Sequence, residues 1–503
     1  MGGIVMTTGD VDFSDVQGLV RFGYGRMKRA RYDLLRIHDA EAARAWLRSA
    51  PVTSAMTMDP PPKTALQVAF TAPGLRKLGL PDDVIASFSH EFRSGMAAES
   101  RARQLGDVGE NAPEYWHWGG FGDEPHLVVM FFGEAECYED FVTRTKGPTW
   151  DEAFEPLGEP LRTCDLDGIE PFGFADGISQ PTIDWEQKRQ TTHAEFDYTN
   201  VSALGEFLLG YPNEYGKITD RPLLDPEDTT VGLPPALDVP RKKDLGRNGT
   251  YLVIRQLEQD VRKFWQFIYQ QSGGNHDEAE KLAAAMVGRQ RDGKPLAAAA
   301  SSPIPGIGEK DSLDQFTFDQ DPTGSRCPFG AHIRRANPRN SDFPIPQSGL
   351  FKKLVTMLGF GPRGFRDDLM SSVRFHRILR RGREYGSGLK PEDALTGQGA
   401  DEPRGIHFIC LNANISRQFE FIQSAWMASS KFSGLTGETD PLVGPRHAIP
   451  GCPMTGNFTL QSDGGLRRKV TGLPQFVTVR GGAYFFLPGL SALRYIAGSG
   501  GKR

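Results

Sequence analysis

The two halves of this chain spell out the same succession of short apolar runs and amphipathic helices. That duplication constrains the fold more than any single segment does. In the first half, "RYDLLRIHD" has the make-up of a strand and "AEAARAWLRSA" that of the helix after it. "TALQVAFTA" and "HLVVMFFG" are further strands, "EAECYEDFVTRT" a second helix and "RTCDLDGIE" a short closing strand. The second half repeats the order: strand "GTYLVIRQL", helix "EQDVRKFWQFIYQQSGG", strands "SVRFHRILR" and "GIHFICLNA", helix "SRQFEFIQSAWMASS", strand "GAYFFLPGL". Short β-branched and aromatic runs suit strands, and the longer apolar-periodic ones suit helices. The order β-α-β, helices, β-α-β predicts a split βαβ layer, so the expected class is α+β with two ferredoxin-like domains, antiparallel sheets and peripheral helices.

A length of 503 residues exceeds what one hydrophobic core usually spans, which agrees with two domains. The expected division is 1–185 and 186–503, the second carrying long insertions at about 191–247 and 288–325. With 58 glycines and 36 prolines, long loops should join the elements. The first insertion is rich in Pro, Gly, Asp and Asn, and the second, with "AAAASSPIPGIGEK", carries little that packs.

A net charge of -5 argues against a general nucleic-acid binder, which needs a dominant basic face. No apolar run is long enough to cross a bilayer, so no membrane partner is expected. The start "MGGIVMTTGDVDFSD" lacks the features of a secretory signal, and cytoplasmic residence is the expectation. Five cysteines stand scattered without CxxC spacing, which disfavours a zinc frame or a disulfide scaffold. GxSxG, HExxH, Walker and post-strand GxGxxG signatures are all missing, and no two histidines are spaced to share a metal from one helix.

Three segments remain that can carry chemistry. In "GFADGISQP" a lone carboxylate, Asp176, follows Phe172 and Phe174 and precedes Gly177. An ordinary Asp-Gly turn explains it, and so does a carboxylate set in an apolar wall for proton transfer. In "CPFGAHIRRANPR" His332 follows the small residues Gly330 and Ala331. It reads as a hydrogen-bonded core histidine, or as the single protein ligand of a haem iron approached by a large flat ligand. In "RFHRILRRGREYG" strand alternation puts Phe375, Arg377 and Leu379 on one face and His376, Ile378 and Arg380 on the other. Neither face is apolar, as in a solvated edge strand or a strand bordering a polar cofactor pocket; "RRGR" also suits an anion or RNA patch.

Together, an Asp, a lone His and an Arg in this chain order resemble the dye-decolourising peroxidase family. "GFADGISQP" is similar to its GxxDG motif, "CPFGAHIRRANPR" to its haem-ligand segment and "RILRRGREYG" to its distal-arginine strand. The likeness extends through "DVQGLVRFGYGRMKRARYDLLRI", "GYPNEYG", "GRNGTYLVIRQLEQDV", "RQFEFIQSAW" and "GGAYFFLPGLSALRY", and so spans nearly the whole chain. The resemblance implies a larger, bacterial-type member with one haem b per chain, lodged between sheet and helices of the second domain. It makes His332 the iron ligand, places Asp176 and Arg380 on the opposite face, and leaves Arg334 as a cationic partner for the haem propionates.

The implied substrates are hydrogen peroxide and aromatic reductants, namely dyes and phenols. Asp176 would act as acid and base, and Arg380 as a fixed positive charge. The family commonly carries an acidic partner for the proximal histidine; here that place falls on Ser416, with Asn414 or Glu420 as substitutes. Tyr385, Trp426 and Tyr484 are candidates for electron transfer to enclosed haem, although each also serves as ordinary packing. The alternatives are a haem-dechelating or haem-degrading enzyme and a non-catalytic haem-binding protein.

Overall fold

A computed structural model describes residues 10–188, 200–227, 230–297, 313–318, 321–339, 373–447 and 456–498. Ten strands form its main sheet: β1 (Arg29–Ile37), β2 (Thr64–Phe70), β3 (Leu127–Gly133), β4 (Phe154–Pro156), β5 (Leu161–Arg162), β6 (Thr250–Gln259), β7 (Leu379–Arg380), β8 (Arg383–Tyr385), β9 (Gly405–Asn412) and β10 (Val477–Leu487). The order is β7-β9-β6-β10-β2-β3-β1-β4, with β8 pairing β9, β5 pairing β1, and every pairing antiparallel.

The duplication anticipated from the sequence is visible in this order. Within each half, the strand that comes second lies beside the third, the third beside the first, and the first beside the fourth. This is the split βαβ arrangement, repeated head to tail.

The halves meet where β10 lies beside β2, in register at Phe486 and Phe70. The side chain of Gln17 closes this seam. Its Nε2 donates to the carbonyls of Val68 and Pro488, both at 2.9 Å, and its Oε1 accepts from Val68 N at 3.0 Å.

Helices cover one face. In α1 (Ala40–Ser49), the Asp39 carboxylate accepts from Ala42 N, and Trp46 and Leu47 turn into the core. α2 (Tyr138–Lys146) carries Glu139 and Asp140 in its first turn and Arg144 and Lys146 in its last, matching the helix dipole. In the second half, α3 (Val261–Gln271) is capped by Asp260 and α4 (His276–Val287) by Asn275. Among the described residues no helix is long and apolar enough to cross a membrane.

Three segments depart from the sequence expectation. Of "RTCDLDGIE" only Arg162 lies in a strand, and the first half closes on Phe154–Pro156 instead. "SVRFHRILR" is not one strand: Val373–Phe375 forms a 3-10 turn and only Leu379–Arg380 pairs. Its side chains therefore do not alternate, and His376, Arg377, Ile378 and Arg380 all reach the same cavity. The segment after Asn414 is helical as expected but wound as π-helix, over Ser416–Glu420 and Ile422–Met427. Wide turns of this kind cluster at functional sites. The second insertion also packs more than its composition suggests. Phe316 and Phe318 are buried with Ala297, Cys327 and Ala331, while 298–312 lies outside the described residues.

Candidate active site

The loop carrying Asp176 is built from behind. Gly173 (φ +97°) and Gly177 (φ +67°) take up left-handed backbone, which a side chain would strain. Phe172 and Phe174 line the same cavity as the carboxylate and pack on their other sides against helices, Phe172 against Phe264 at 4.6 Å and Phe174 parallel to Trp265. Glu170 pins the turn between them, accepting from Phe172 N at 3.0 Å, Phe174 N at 2.9 Å and Gln259 Nε2 at 2.8 Å. Burial pushes the Glu170 carboxyl up to about 7, although those three donors favour its ionised form.

Asp176 faces Arg380. Its Oδ1 accepts from Arg380 Nη1 at 3.1 Å, and Arg380 Nη2 donates to Ser179 O at 3.1 Å. Gln180 fastens the loop to β7 through the Arg380 backbone, at 3.1 and 3.2 Å. Both charged side chains keep about a third of their surface open, 35% for Asp176 and 34% for Arg380, and both line the cavity. A ligand can therefore meet either. Burial raises the Asp176 carboxyl, but Arg380 and the Gly177 amide outweigh it and hold the group below its ordinary value.

His332 opens the short helix α5 (His332–Ala336). Its Nδ1 donates to Asp440 Oδ2 at 3.1 Å, and no described residue bonds Nε2. The Asp440 side chain is wholly buried, and its Oδ1 accepts from Leu442 N and Val443 N, each at 2.9 Å. Burial opposes charge on both partners, yet their attraction wins: the imidazole holds its proton more tightly and the carboxyl stays low.

This corrects the assignment of the histidine's partner to Ser416, Asn414 or Glu420. Ser416 donates to Asn414 at 3.0 Å, and Glu420 accepts from Tyr484 and Arg101. The sequence signal for Asp440 was a carboxylate capping the two amides after a proline in "TDPLV", 108 residues beyond the histidine.

Two further expectations change. Gly330 is small because Phe458 and Glu438 press against it, not because a ligand approaches there; beside the imidazole the lining comes from Ile333 and Ala336. Arg334 is buried away from the cavity, donating to Asp321 Oδ2 at 3.1 Å and Cys327 O at 2.7 Å, between the rings of Phe318 and Phe329. The arginines that do line the cavity are Arg255, Arg289, Arg339, Arg377, Arg380 and Arg383. Sequence reasoning named only Arg380 of these as a site residue, although Arg339 and Arg377 lie in two of the segments it singled out.

The cavity measures about 350 Å³. It lies between the helical face of the second half's sheet, with Leu257 and Phe408, and the π-helical turns, with Phe419, Ile422 and Trp426. His332, Asp176 and Arg380 all line it, close enough that the charge of each moves the proton affinity of the imidazole. Of the electron-transfer candidates, Trp426 lines the cavity. Tyr385 stacks on His407 at 4.4 Å, and Tyr484 lies behind the wall. Among the described residues no three His, Cys, Asp or Glu side chains converge as a metal site. A cavity lined by apolar side chains, an imidazole backed by a carboxylate and several arginines fits haem.

No family model matches the chain. A multifunctional dye peroxidase of Amycolatopsis sp. is 29% identical over 448 residues, 85% of this chain and 81% of that protein. A dye-decolorizing peroxidase of Auricularia auricula-judae is 27% identical over 502 residues, 95% of this chain and 86% of its own length. A solved dye-decolorizing peroxidase in complex with 2,6-dimethoxyphenol superposes with a TM-score of 0.70 at 24% identity, over 97% of this chain and 100% of that one. This chain is similar in sequence to dye-decolorizing peroxidases over most of its length, and it shares their fold.

Proposed function

We propose that this protein is a haem-dependent peroxidase that uses hydrogen peroxide to oxidise dyes, phenols and other aromatic reductants in one-electron steps. The observation that carries the reading is a single cavity lined both by a carboxylate-backed imidazole and by an Asp–Arg pair. The peroxidase names of its relatives support it, as does the dimethoxyphenol held by the related structure.

His332 would hold haem b through Nε2, with Asp440 fixing the tautomer and making the ring a stronger donor. Arg289 and Arg377, which line the cavity, would meet the propionates, whereas Arg339 is paired with Asp314. Bound there, haem supplies the redox-active iron at which peroxide is reduced. Asp176 takes the proton from one peroxide oxygen and returns it to the departing oxygen as water forms. Arg380 meets the negative charge that builds as the O–O bond breaks; Asp176 and the Ser179 carbonyl already hold it in place, so little reorganisation is needed. To act as base, Asp176 must be ionised, and its lowered pKa keeps it so in mild acid.

A haem carrier would need His332 but not the pair facing it, and a dechelating enzyme would release iron. The deciding experiment follows hemin-loaded protein by absorption spectroscopy on addition of hydrogen peroxide, with and without dye. A spectral change followed by repeated dye turnover is the expected result. No spectral change, or iron release without dye turnover, overturns the proposal.

A further inference from the structure

Tyr484 sits just behind the cavity wall. On β10 it pairs with Val253 of β6, two residues from Arg255, which lines the cavity from the same face of the sheet. Phe419 also lines the cavity, and its ring meets that of Tyr484 edge-on at 6.2 Å. The phenol is buried, 2% exposed, and its hydroxyl donates to Glu420 Oε1 at 2.8 Å. Glu420 has no exposed surface, and its other oxygen accepts from Arg101 Nη1 at 2.6 Å. On its far side Tyr484 borders a recess of about 20 Å³ with Phe92, Met96 and Gly482, room for a water and too small for an aromatic reductant.

A phenol that loses an electron becomes a strong acid, so a buried tyrosine is oxidised readily only when a base stands at its hydroxyl. Other buried tyrosines lack one: the hydroxyls of Tyr32 and Tyr138 have no hydrogen-bond partner, and Tyr211 donates to the amide of Asn248. Burial favours the neutral form of Glu420, although Tyr484 and Arg101 oppose this, so the carboxylate is well disposed to accept a proton.

We propose that Tyr484 and Glu420 form a proton-coupled redox pair that stores one oxidising equivalent inside the protein. Tyr484 gives one electron to the peroxide-oxidised cofactor. Its O–H bond breaks, the proton forms an O–H bond on Glu420, and a neutral tyrosyl radical remains. A reductant returns the electron, and the proton goes back. The inference rests on the haem-peroxidase reading above and assigns Tyr484 a role in that reaction that simple packing would not.

The test uses the full chain loaded with hemin, mixed with one equivalent of hydrogen peroxide, freeze-quenched and read by electron paramagnetic resonance beside the optical spectrum. The expected result is a tyrosyl signal that changes shape when the protein carries ring-deuterated tyrosine. It should vanish in Tyr484→Phe while the optical response to peroxide persists, and fall at least tenfold in Glu420→Gln. An intact optical response with no tyrosyl signal in the unaltered protein, or with the signal retained in Tyr484→Phe, overturns the inference alone. If the unaltered protein shows no optical response, the peroxidase reading fails and the inference with it.

Discussion

Two aspartates serve the same cavity and are held in opposite ways. Asp440 is sealed, with one oxygen on His332 and the other on two backbone amides. Asp176 is left open, with one guanidinium contact and a third of its surface facing the cavity. A group that only orients another gains from immobility. A group that must exchange a proton with a visiting ligand needs room, and its charge must be held by something that can yield. The difference is the one expected between a positioning carboxylate and the reacting one proposed above.

The most severe way to break this comparison is to remove what joins its two sides. His332→Ala should abolish the Soret band on hemin titration, leaving no haem for either carboxylate to serve. Next come the reacting groups. Asp176→Asn should slow peroxide-dependent oxidation by about 10²–10⁴-fold and Arg380→Leu by on the order of 10²–10³-fold, with haem still bound, as stopped-flow rates would record.

The sign of the pH dependence follows from the same pair. Because Arg380 holds the Asp176 carboxyl below its usual range, the base is ionised above that lowered pKa. Activity should persist through mild acid and fall only as pH drops through it. Arg380→Leu should move that acid limb upward, since burial is then opposed chiefly by the Gly177 amide. A limb that stays put in the pH–rate profile would detach Arg380 from the base.

Asp440→Asn should weaken haem retention by about 10–100-fold, read by transfer of haem to apomyoglobin, because the amide fixes the ring less firmly. Arg334→Gln sharpens the contrast from outside the site. Removing one member of a buried ion pair should cost about 3–5 kcal/mol in denaturant unfolding, with hemin affinity unchanged. The smallest effect is expected of Ser416→Ala, within about 1 kcal/mol in stability and without spectral change.

The same contrast explains what was legible in the sequence. Asp176, His332 and Arg380 each lie in a compact segment whose neighbours serve them: Gly173 and Gly177 shape the loop, and Ser179 and Gln180 bind the arginine. Asp440 meets its histidine across 108 residues, and only the fold brings them together. Arg334 shows the opposite failure. It sits two residues from the imidazole, but a helix turns side chains by roughly 100° per residue, so proximity in sequence sent it into the core. The strand order was legible because each half repeats the same succession. The break in "SVRFHRILR" was not, since its Arg377 bonds Ser202 of the distant short strand Val201–Ala203, a tertiary contact that overrides strand propensity.

The seam between the halves has a bearing on how this protein ages. Where a row of backbone bonds usually sits, a single primary amide, that of Gln17, serves two carbonyls at once. Hydrolysis of that amide to an acid would leave both without a donor and set a negative charge against them, at roughly 1–3 kcal/mol for each orphaned group. One slow chemical event at Gln17 would thus remove the polar closure of the seam and leave the apolar clusters that span both halves to hold it.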